Sequence, residues 1–346
     1  MAALSRPARV SVRAAYPGEG DAIAALWREL WDAHEAWGGY PGSRDARVYA
    51  QLARRLDEDA RVRAGHPILG RHVHLVADLG GTPCGQVEGW FERHGADPTT
   101  PFTCEVRSLI VTERARGSGA GRLLLDELAG SSRALASGAP SVLAAEVLDD
   151  NPARAFYRRL GYVPGSYNAR MDAARGARTV PGPFAARVAL ARDALPLAVL
   201  EATLADRRRS SGDTRFDRPR SVDATMVGAI AAHLSAERGE QAREPFTLVA
   251  VDGEGVVRAS GAFATHTLEP PFIAMRRALL GRFAVDPACS PGPFVAPILA
   301  LACRMALTQG APRVELTDLS PPGTPLHAAV LAEGATPWSS VVLKPA

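Results

Sequence analysis

A glycine-rich loop lies between a strand-like segment and a helix-like segment in the first half of the chain. The sequence "RGSGAG" places glycines at 117, 119 and 121 between arginines. Residues 102–112 before the loop are strand-like, and the leucines after it share one helix face. Alternate glycines leave backbone N–H groups uncovered at a helix N-terminus, where the helix dipole favours an anion. Taken alone, the pattern fits either a flexible turn or a cradle for a phosphate.

Predicted strands and helices alternate along this half of the chain. Hydrophobic periodicity predicts strands over 8–15, 102–112, 141–148 and 166–171, with a hairpin over 72–93. It predicts helices over 19–37, 43–62 and 151–162, and another directly after the glycine loop. Ser43 is the expected N-cap of the second helix.

The second half repeats this order of elements in outline. Both hairpins contain "LVA", at 75–77 and 248–250, followed by a turn with glycine. Between the halves lies a stretch rich in Gly, Pro and Ala without hydrophobic periodicity. The self-similarity predicts duplication of one fold, with domains over 1–172 and 184–346 and a linker over 173–183.

The composition is that of a soluble globular protein of two-domain size. The chain has 346 residues, of which 47% are hydrophobic and 22% charged, and a formal net charge of +3. That charge is too small to indicate a nucleic-acid partner. Four isolated cysteines argue against a zinc site or a disulfide framework, and no segment has the length of a membrane span. We therefore expect a cytoplasmic protein without a metal or a membrane partner.

Two common nucleotide-binding loops do not fit the glycine-rich segment. A P-loop requires Gly-Lys-Ser/Thr, and this segment has no lysine. A dinucleotide fingerprint follows the first strand of its domain, whereas these glycines follow the fourth.

Two motifs together resemble the GNAT family of acetyl-CoA-dependent N-acetyltransferases. The family's pyrophosphate loop reads Gln/Arg-x-x-Gly-x-Gly/Ala, which "RGSGAG" matches with Arg116, Gly119 and Gly121. A later family signature is similar to "DDNPARAFYRRLGY", which contains Asn151 and Tyr157. The resemblance implies an α/β (α+β) protein of two tandem GNAT-like domains, each a mixed, mostly antiparallel central sheet flanked by helices. Tandem arrangements occur in this family, as in mycothiol synthase, where the C-terminal copy is the active one.

The resemblance also implies how acetyl-CoA binds as cosubstrate. The fourth strand would separate from the fifth, and the pantetheine arm would pair with the backbone of Leu109, Ile110 and Val111. The pyrophosphate would lie against backbone N–H groups of the loop, which comprises Arg116, Gly117, Ser118, Gly119, Ala120, Gly121 and Arg122. The same family signature implies that Asn151 contributes to the coenzyme site.

Acetyl transfer to an amine requires a neutral nucleophile and a proton for the departing thiolate. By resemblance Tyr157 is the proton donor, although an aromatic residue on an apolar helix face also serves packing. Glu105 on the fourth strand is the preferred base. Glu146 on the fifth strand is an alternative, but its spacing to Tyr157 differs by one residue, which would turn it away unless a bulge restores it. A water chain is a third route.

The acceptor is an amine of a small molecule, a peptide or a protein. If Glu88, Glu92 and Glu105 point inward, they form an acidic pocket suited to a cationic amine. Four aromatic residues lie on the first predicted helix and the turn after it, where this fold builds its acceptor site: Trp27, Trp31, Trp37 and Tyr40. The oligomeric state, monomer or homodimer, stays open.

The second half lacks the family's coenzyme motif. Its loop reads "DPACSPGPFVAPILA", with four prolines and one glycine, and proline has no N–H to offer a phosphate. We interpret residues 184–346 as a degenerate copy. Two other functions stay open for the chain, a non-catalytic acetyl-CoA-binding regulatory module and an acyltransferase for longer acyl chains.

Overall fold

The chain divides into two compact units. The computed structural model describes residues 9–93, 101–178, 182–215, 221–236 and 245–346. The first unit comprises residues 1–163 with 269–273 and 343–346, and the second comprises 164–268 and 274–342. Each unit has a mixed, mostly antiparallel sheet flanked by helices, which confirms the predicted fold class.

The elements of the first half follow the predicted order. The strands are β1 (Val10–Arg13), β2 (Ile68–Leu69), β3 (His72–Leu79), β4 (Thr82–Arg93), β5 (Phe102–Val111), β6 (Ser141–Leu148) and β7 (Val163–Asp172). The helices are α1 (Gly20–Ala36), α2 (Ala46–Arg63), α3 (Ala120–Ala136), α4 (Ala153–Arg159) and the single turn α5 (Ala173–Gly176).

The cap of α2 differs from the prediction. Asp45, not Ser43, is the N-cap, because the Asp45 carboxylate accepts a hydrogen bond of 2.9 Å from the N–H of Arg47. Ser43 instead accepts a hydrogen bond from the N–H of Asp45 through its hydroxyl. The predicted cap was therefore wrong by two residues, because Ser43 and Asp45 are both residue types that cap helices.

The sheet of the first unit has the order β1-β3-β4-β5-β6. β5 and β6 are parallel and the other neighbours are antiparallel. The apolar faces of α1 and α2 cover one side of the sheet, packing with Val76 and Ile110. α3 covers the other side, where Leu128 packs so closely that a Cβ on Gly89 would lie 2.5 Å from its side chain. The side of the sheet that α1 and α2 cover is called the α1 face.

The second half has the repeated order that the sequence predicts. Its strands are β8 (Ala185–Val188), β9 (Phe246–Val251), β10 (Val257–Thr267), β11 (Arg276–Val285), β12 (Arg313–Leu319) and β13 (Thr336–Pro345). Its helices are α6 (Ala194–Ser210), α7 (Ala224–Ala236), α8 (Gly292–Thr308) and α9 (Pro325–Ala332). α8 packs on one side of the sheet, whereas α6 and α7 pack on the other.

Matching backbone irregularities support the duplication. Ser108 in β5 and Arg282 in β11 both have positive φ, 53° and 52°, in strands of ten residues. Each lies at a β-bulge against the preceding strand. Positive φ is uncommon for residues other than glycine, so its recurrence at the same place in both halves is a specific likeness.

The compact units do not coincide with the predicted sequence boundaries. Residues 164–172 of β7 belong to the second unit, and 269–273 and 343–346 belong to the first. Within the predicted linker, α5 packs so that a Cβ on Gly176 would lie 2.4 Å from Sγ of Cys303, and residues 179–181 lie outside the described residues. The division into an active and a degenerate domain stays a prediction.

Candidate active site

β5 and β6 separate after a short parallel pairing. Phe102–Val106 pair with Ser141–Ala145, and beyond these positions no pair joins the two strands, both of which the structure describes in full. Ser108 lies just past the last pair, at the bulge where β5 has one more residue than β4. The edge of Leu109–Val111 that faces away from β4 is therefore open to an extended ligand. This is the wedge that the resemblance implies.

The glycine-rich loop forms a cradle of free N–H groups at the start of α3. Gly117 and Gly119 have φ of 82° and 87°, which glycine adopts without strain. Among the described residues, four N–H groups of the loop have no acceptor, those of Gly117, Gly119, Gly121 and Arg122. The remaining three are used within the loop, by Arg116 to Glu113, Ser118 to Ala115 and Ala120 to the Ser118 hydroxyl. The loop can thus donate four hydrogen bonds to an anion.

The two arginines that flank the cradle are exposed. Nη2 of Arg116 lies 4.0 Å from a carboxylate oxygen of Glu29, and Nε of Arg122 lies 3.5 Å from Asp126. Both contacts are at the surface and stabilise little. The side chains are therefore free to turn towards a bound phosphate.

α4, which carries Tyr157, contacts the start of α3 through the preceding residue. This residue, Phe156, packs against Gly121, where a Cβ would lie 3.1 Å from the ring and 3.5 Å from Val111. Tyr157 is buried, with its ring 5.1 Å from that of Tyr162, and its hydroxyl has no hydrogen-bond partner in the described part of the chain. Burial raises the pKa of Tyr157, which keeps the phenol protonated.

Asn151 has a structural role in addition to any contact with a ligand. Its Oδ1 accepts a hydrogen bond of 2.8 Å from the N–H of Ala153 at the start of α4. This bond holds the beginning of the helix that carries Tyr157. Its Nδ2 has no acceptor among the described residues.

Both predicted base candidates lie on the α1 face. Glu105 pairs with Ala144 in the parallel register, so alternation places Glu105, Ala144 and Glu146 on one side of the sheet. Glu105 is about half exposed and forms an ion pair of 2.5 Å with Arg107. Glu146 is exposed. The one-residue difference in spacing therefore does not turn Glu146 to the opposite side.

A third carboxylate on the α1 face, that of Glu88, is buried, with only 7% of the residue surface exposed. Glu88, in β4, lies opposite Arg107 of β5, and the Ser108 side chain at the bulge lowers the pKa of this carboxylate. Nε2 of His72 lies 3.2 Å from its Oε1, and Nδ1 of the same ring accepts a hydrogen bond of 2.6 Å from Arg63.

These contacts determine the charge of Glu88. Burial by itself would raise its pKa, but His72, Ser108 and the nearby His74 outweigh burial and hold the pKa of Glu88 below its usual value. Glu88 is therefore an ionised carboxylate on the floor of the α1 face, beside the point where β5 leaves β6. Alternation along β4 predicts that Glu88 lies on the α1 face. Only the tertiary structure shows that Glu88 is buried, whereas Glu105 and Glu146 are more exposed.

The C-terminal half of α1 extends along the open end of the wedge. Glu29 faces Arg116 of the loop, and a Cβ on Gly39 would lie 3.0 Å from Leu148 at the end of β6. His34 lies between Trp31 and Trp37, with ring centroids 5.1 and 5.7 Å away, and burial lowers the pKa of His34 to about 4. Trp27 and Trp31 are buried, whereas Trp37 and Tyr40 are partly exposed.

The equivalent positions of the second unit have a different chemistry. Asp286, directly after β11, forms an ion pair of 2.9 Å with Arg258, so a carboxylate lies where a phosphate loop would begin. At the start of α8 the N–H groups of Phe294 and Val295 both donate to Pro291, and four prolines between 287 and 297 have none to donate. Gly161 after α4 corresponds to Gly334 after α9, and this alignment places Val330 where the first half has Tyr157.

The described residues show no metal site and no membrane helix. They contain no group of three or more His, Cys, Asp or Glu side chains arranged to hold a metal ion. None of their helices combines the length and the apolar character that crossing a bilayer requires.

Comparisons with known proteins agree with this geometry. Residues 24–162 match the model of the acetyltransferase (GNAT) family. Comparison with curated proteins gave no match.

Three solved structures share the fold of the whole chain at low sequence identity. A GCN5-related N-acetyltransferase from Sphaerobacter thermophilus is 18% identical, with a TM-score of 0.58 over 99% of this chain and 97% of that one. A tandem GNAT protein from the clavulanic acid biosynthesis pathway is 17% identical, with a TM-score of 0.51 over 98% of each chain. The glucosamine N-acetyltransferase region of a fungal multi-domain GH3 β-N-acetylglucosaminidase is 15% identical, with a TM-score of 0.58 over 98% of this chain and 38% of that one.

The wedge between β5 and β6, the cradle at the start of α3 and the family match all lie in the same part of the chain. The fold as a whole is that of tandem GNAT proteins. Residues 24–162 therefore belong to an acetyltransferase domain of the GNAT family.

Proposed function

We propose that this protein transfers an acetyl group from acetyl-CoA to a primary amine, at the wedge of the first unit. The observation that carries the proposal is the cradle of four free N–H groups next to the open edge of β5. A pyrophosphate on the cradle and an extended arm along Leu109–Val111 would direct the thioester towards Ser108. Acetyl-CoA has this chemistry, with a pyrophosphate, an amide-bearing arm and a reactive thioester.

The residues of the α1 face act on the acceptor in this proposal. The ionised carboxylate of Glu88 attracts a cationic amine to the bulge at Ser108. Glu105, at the last stretch of pairing before the wedge, accepts the proton that the ammonium must lose before it attacks. The nitrogen then forms a bond to the acetyl carbon, and the bond from that carbon to sulfur breaks.

The leaving thiolate requires a proton, and Tyr157 supplies it. Burial keeps the phenol protonated at neutral pH, and its hydroxyl makes no other hydrogen bond among the described residues. The proton that the amide nitrogen loses restores the phenol through water. The net products are an acetylated amine, free coenzyme A and one proton.

The surroundings of the reaction complete the proposal. The second half acts as a degenerate copy, because its loop offers prolines and an ion-paired Asp286 in place of a cradle. The four cysteines are all free, which suits the reducing cytoplasm.

Release of the coenzyme thiol tests the proposal. Wild-type protein is mixed with acetyl-CoA and single members of a panel of polyamines, aminoglycosides, amino acids and peptides, and free thiol is followed with a colorimetric reagent. We expect release that depends on at least one amine. Binding of acetyl-CoA with no release for any amine would favour a regulatory module instead, and release only from longer acyl-CoA would indicate a different acyl donor.

A further inference from the structure

A short segment from the second half of the sequence belongs to the first unit. Residues 269–273 connect β10 to β11 and pack on the connection between α1 and α2. Phe272 forms an antiparallel bridge with Gly42. The N–H of Ser43 donates to Pro271 at 2.7 Å, and that of Ile273 donates to Pro41 at 3.1 Å.

Aromatic packing fixes the segment to α1. The Phe272 ring lies 4.4 Å from Trp31 and 6.2 Å from Tyr40, centroid to centroid. Trp31 in turn lies 5.6 Å from Trp27 in the core of the α1 face. Such ring pairs stabilise the packing beyond the contribution of the apolar area that they bury.

The connection that the segment holds lies at the open end of the wedge. Gly39 in this connection is in close contact with Leu148 at the end of β6, and its N–H donates to His34 at 2.7 Å. The other end of the same stretch of α1 reaches the cradle through Glu29. A shift of the connection would therefore change the wall of the wedge at Leu148, whereas the cradle itself is formed by the first turn of α3 and the loop before it.

We propose that the 269–273 segment, through Phe272, positions the connection between α1 and α2 and thereby sets the affinity of the first unit for its amine acceptor. This inference rests on the proposed function. Phe272 is a positioning residue, because it acts through Trp31, Tyr40 and the backbone of 41–43. The second half of the sequence then contributes to acceptor recognition while it binds no coenzyme itself.

Phe272→Ala in the full chain tests the inference. We expect the acceptor KM to rise about 5–30-fold. This rise corresponds to the loss of roughly 1–2 kcal/mol of ring contacts. The affinity for acetyl-CoA, measured by calorimetry, and kcat should stay within about threefold of wild type. A change in KM alone is the signature of lost acceptor binding.

Two further variants separate positioning from general loss of stability. Ile273→Ala is the matched control, because the Ile273 side chain is 46% exposed and its N–H bond to Pro41 is retained. It should leave the acceptor KM unchanged. Phe272→Tyr keeps the ring and should restore the wild-type KM. A KM for Phe272→Ala equal to that of wild type, or an equal loss in Ile273→Ala, would overturn the inference.

Hydrogen exchange provides a readout that does not depend on turnover. In Phe272→Ala the amides of 37–45 should exchange faster than in wild type, while those of α3 stay unchanged. Unaltered exchange in 37–45 would show that the segment does not hold the connection. If wild type acetylates no amine in the panel, it is the proposed function that fails, whereas the exchange result still decides whether Phe272 positions the connection.

Discussion

Tyr157 and Tyr162 provide a matched pair for testing the proton donor. Both rings are buried and lie 5.1 Å apart, and neither hydroxyl has a hydrogen-bond partner in the described part of the chain. Tyr157→Phe should lower kcat by about 10²–10⁴-fold and leave acetyl-CoA affinity intact, because only the transferable proton is lost. Tyr162→Phe should leave kcat nearly unchanged. Equal effects of the two substitutions, measured by steady-state kinetics and calorimetry, would reduce Tyr157 to a packing residue.

Glu88 and Glu105 should respond differently to the loss of their charge. Because the pKa of Glu88 is held below its usual value, the carboxylate is ionised throughout the working pH range and adds no limb to the pH–rate profile. Glu88→Gln should raise the acceptor KM about 10–100-fold, the loss of a charged hydrogen bond, and keep the profile. Glu105→Gln should lower kcat by about 10²–10⁴-fold, because the group that accepts the proton is lost. A kcat for Glu105→Gln equal to that of wild type would indicate Glu146 or a water chain as the base.

At the scale of elements, the cradle depends on one loop and the first turn of one helix. Gly119 is the N-cap of α3 with φ of 87°, and nothing lies within 4 Å of the position a Cβ would take. A glutamate there would bring negative charge and bulk to the free N–H groups. Gly119→Glu should therefore abolish acetyl-CoA binding while the fold survives.

The same helix offers a control for backbone strain. Gly138 follows the C-terminal end of α3 with φ of 90° and equally open surroundings. Gly138→Glu imposes a similar cost of positive φ, on the order of 1–2 kcal/mol, far from the cradle. It should bind acetyl-CoA as wild type does in calorimetry. An unchanged affinity of Gly119→Glu for acetyl-CoA, or an equal loss of affinity in both variants, would refute the proposal that the cradle binds the coenzyme.

At the scale of the whole molecule, the duplication predicts one coenzyme site in a chain of two similar halves. The full chain should titrate with one equivalent of acetyl-CoA, and Gly119→Glu should titrate with none. The missing contacts in the second half are charge-assisted hydrogen bonds worth about 1.5–3 kcal/mol each, so the loss of several carries a micromolar site beyond the millimolar range. Binding of two equivalents of acetyl-CoA by wild type, or of one equivalent by Gly119→Glu, would overturn the interpretation of the second half as a degenerate copy.

A fragment that ends at residue 172 would lack parts of the first unit. Residues 1–172 by themselves lack 269–273 and 343–346, which belong to the first unit, and the N–H of Ala346 donates to Ser141 at the start of β6. The fragment would also carry β7 away from its pairing with β12. The full chain is therefore the proper object for all binding measurements.

The sequence alone determined the order of the elements, the duplicated fold and the position of the cradle. These are local properties. Hydrophobic periodicity reflects which face of a helix or strand is buried, and glycines at 117 and 119 permit a positive φ that few other residues adopt. The family motifs were readable for the same reason, since each lies within one loop or one short helix.

Only the tertiary structure decided which carboxylate is buried and which segments complete the first unit. Glu88 is ionised because residues from β3, α2 and the bulge of β5 meet around it, and no local pattern encodes that meeting. The bulge at Ser108 depends on register with β4. Phe272 reaches Trp31 across 241 positions of sequence, the difference between 272 and 31. Contacts at such separation depend on the path of the whole chain, because packing, rather than local propensity, selects them.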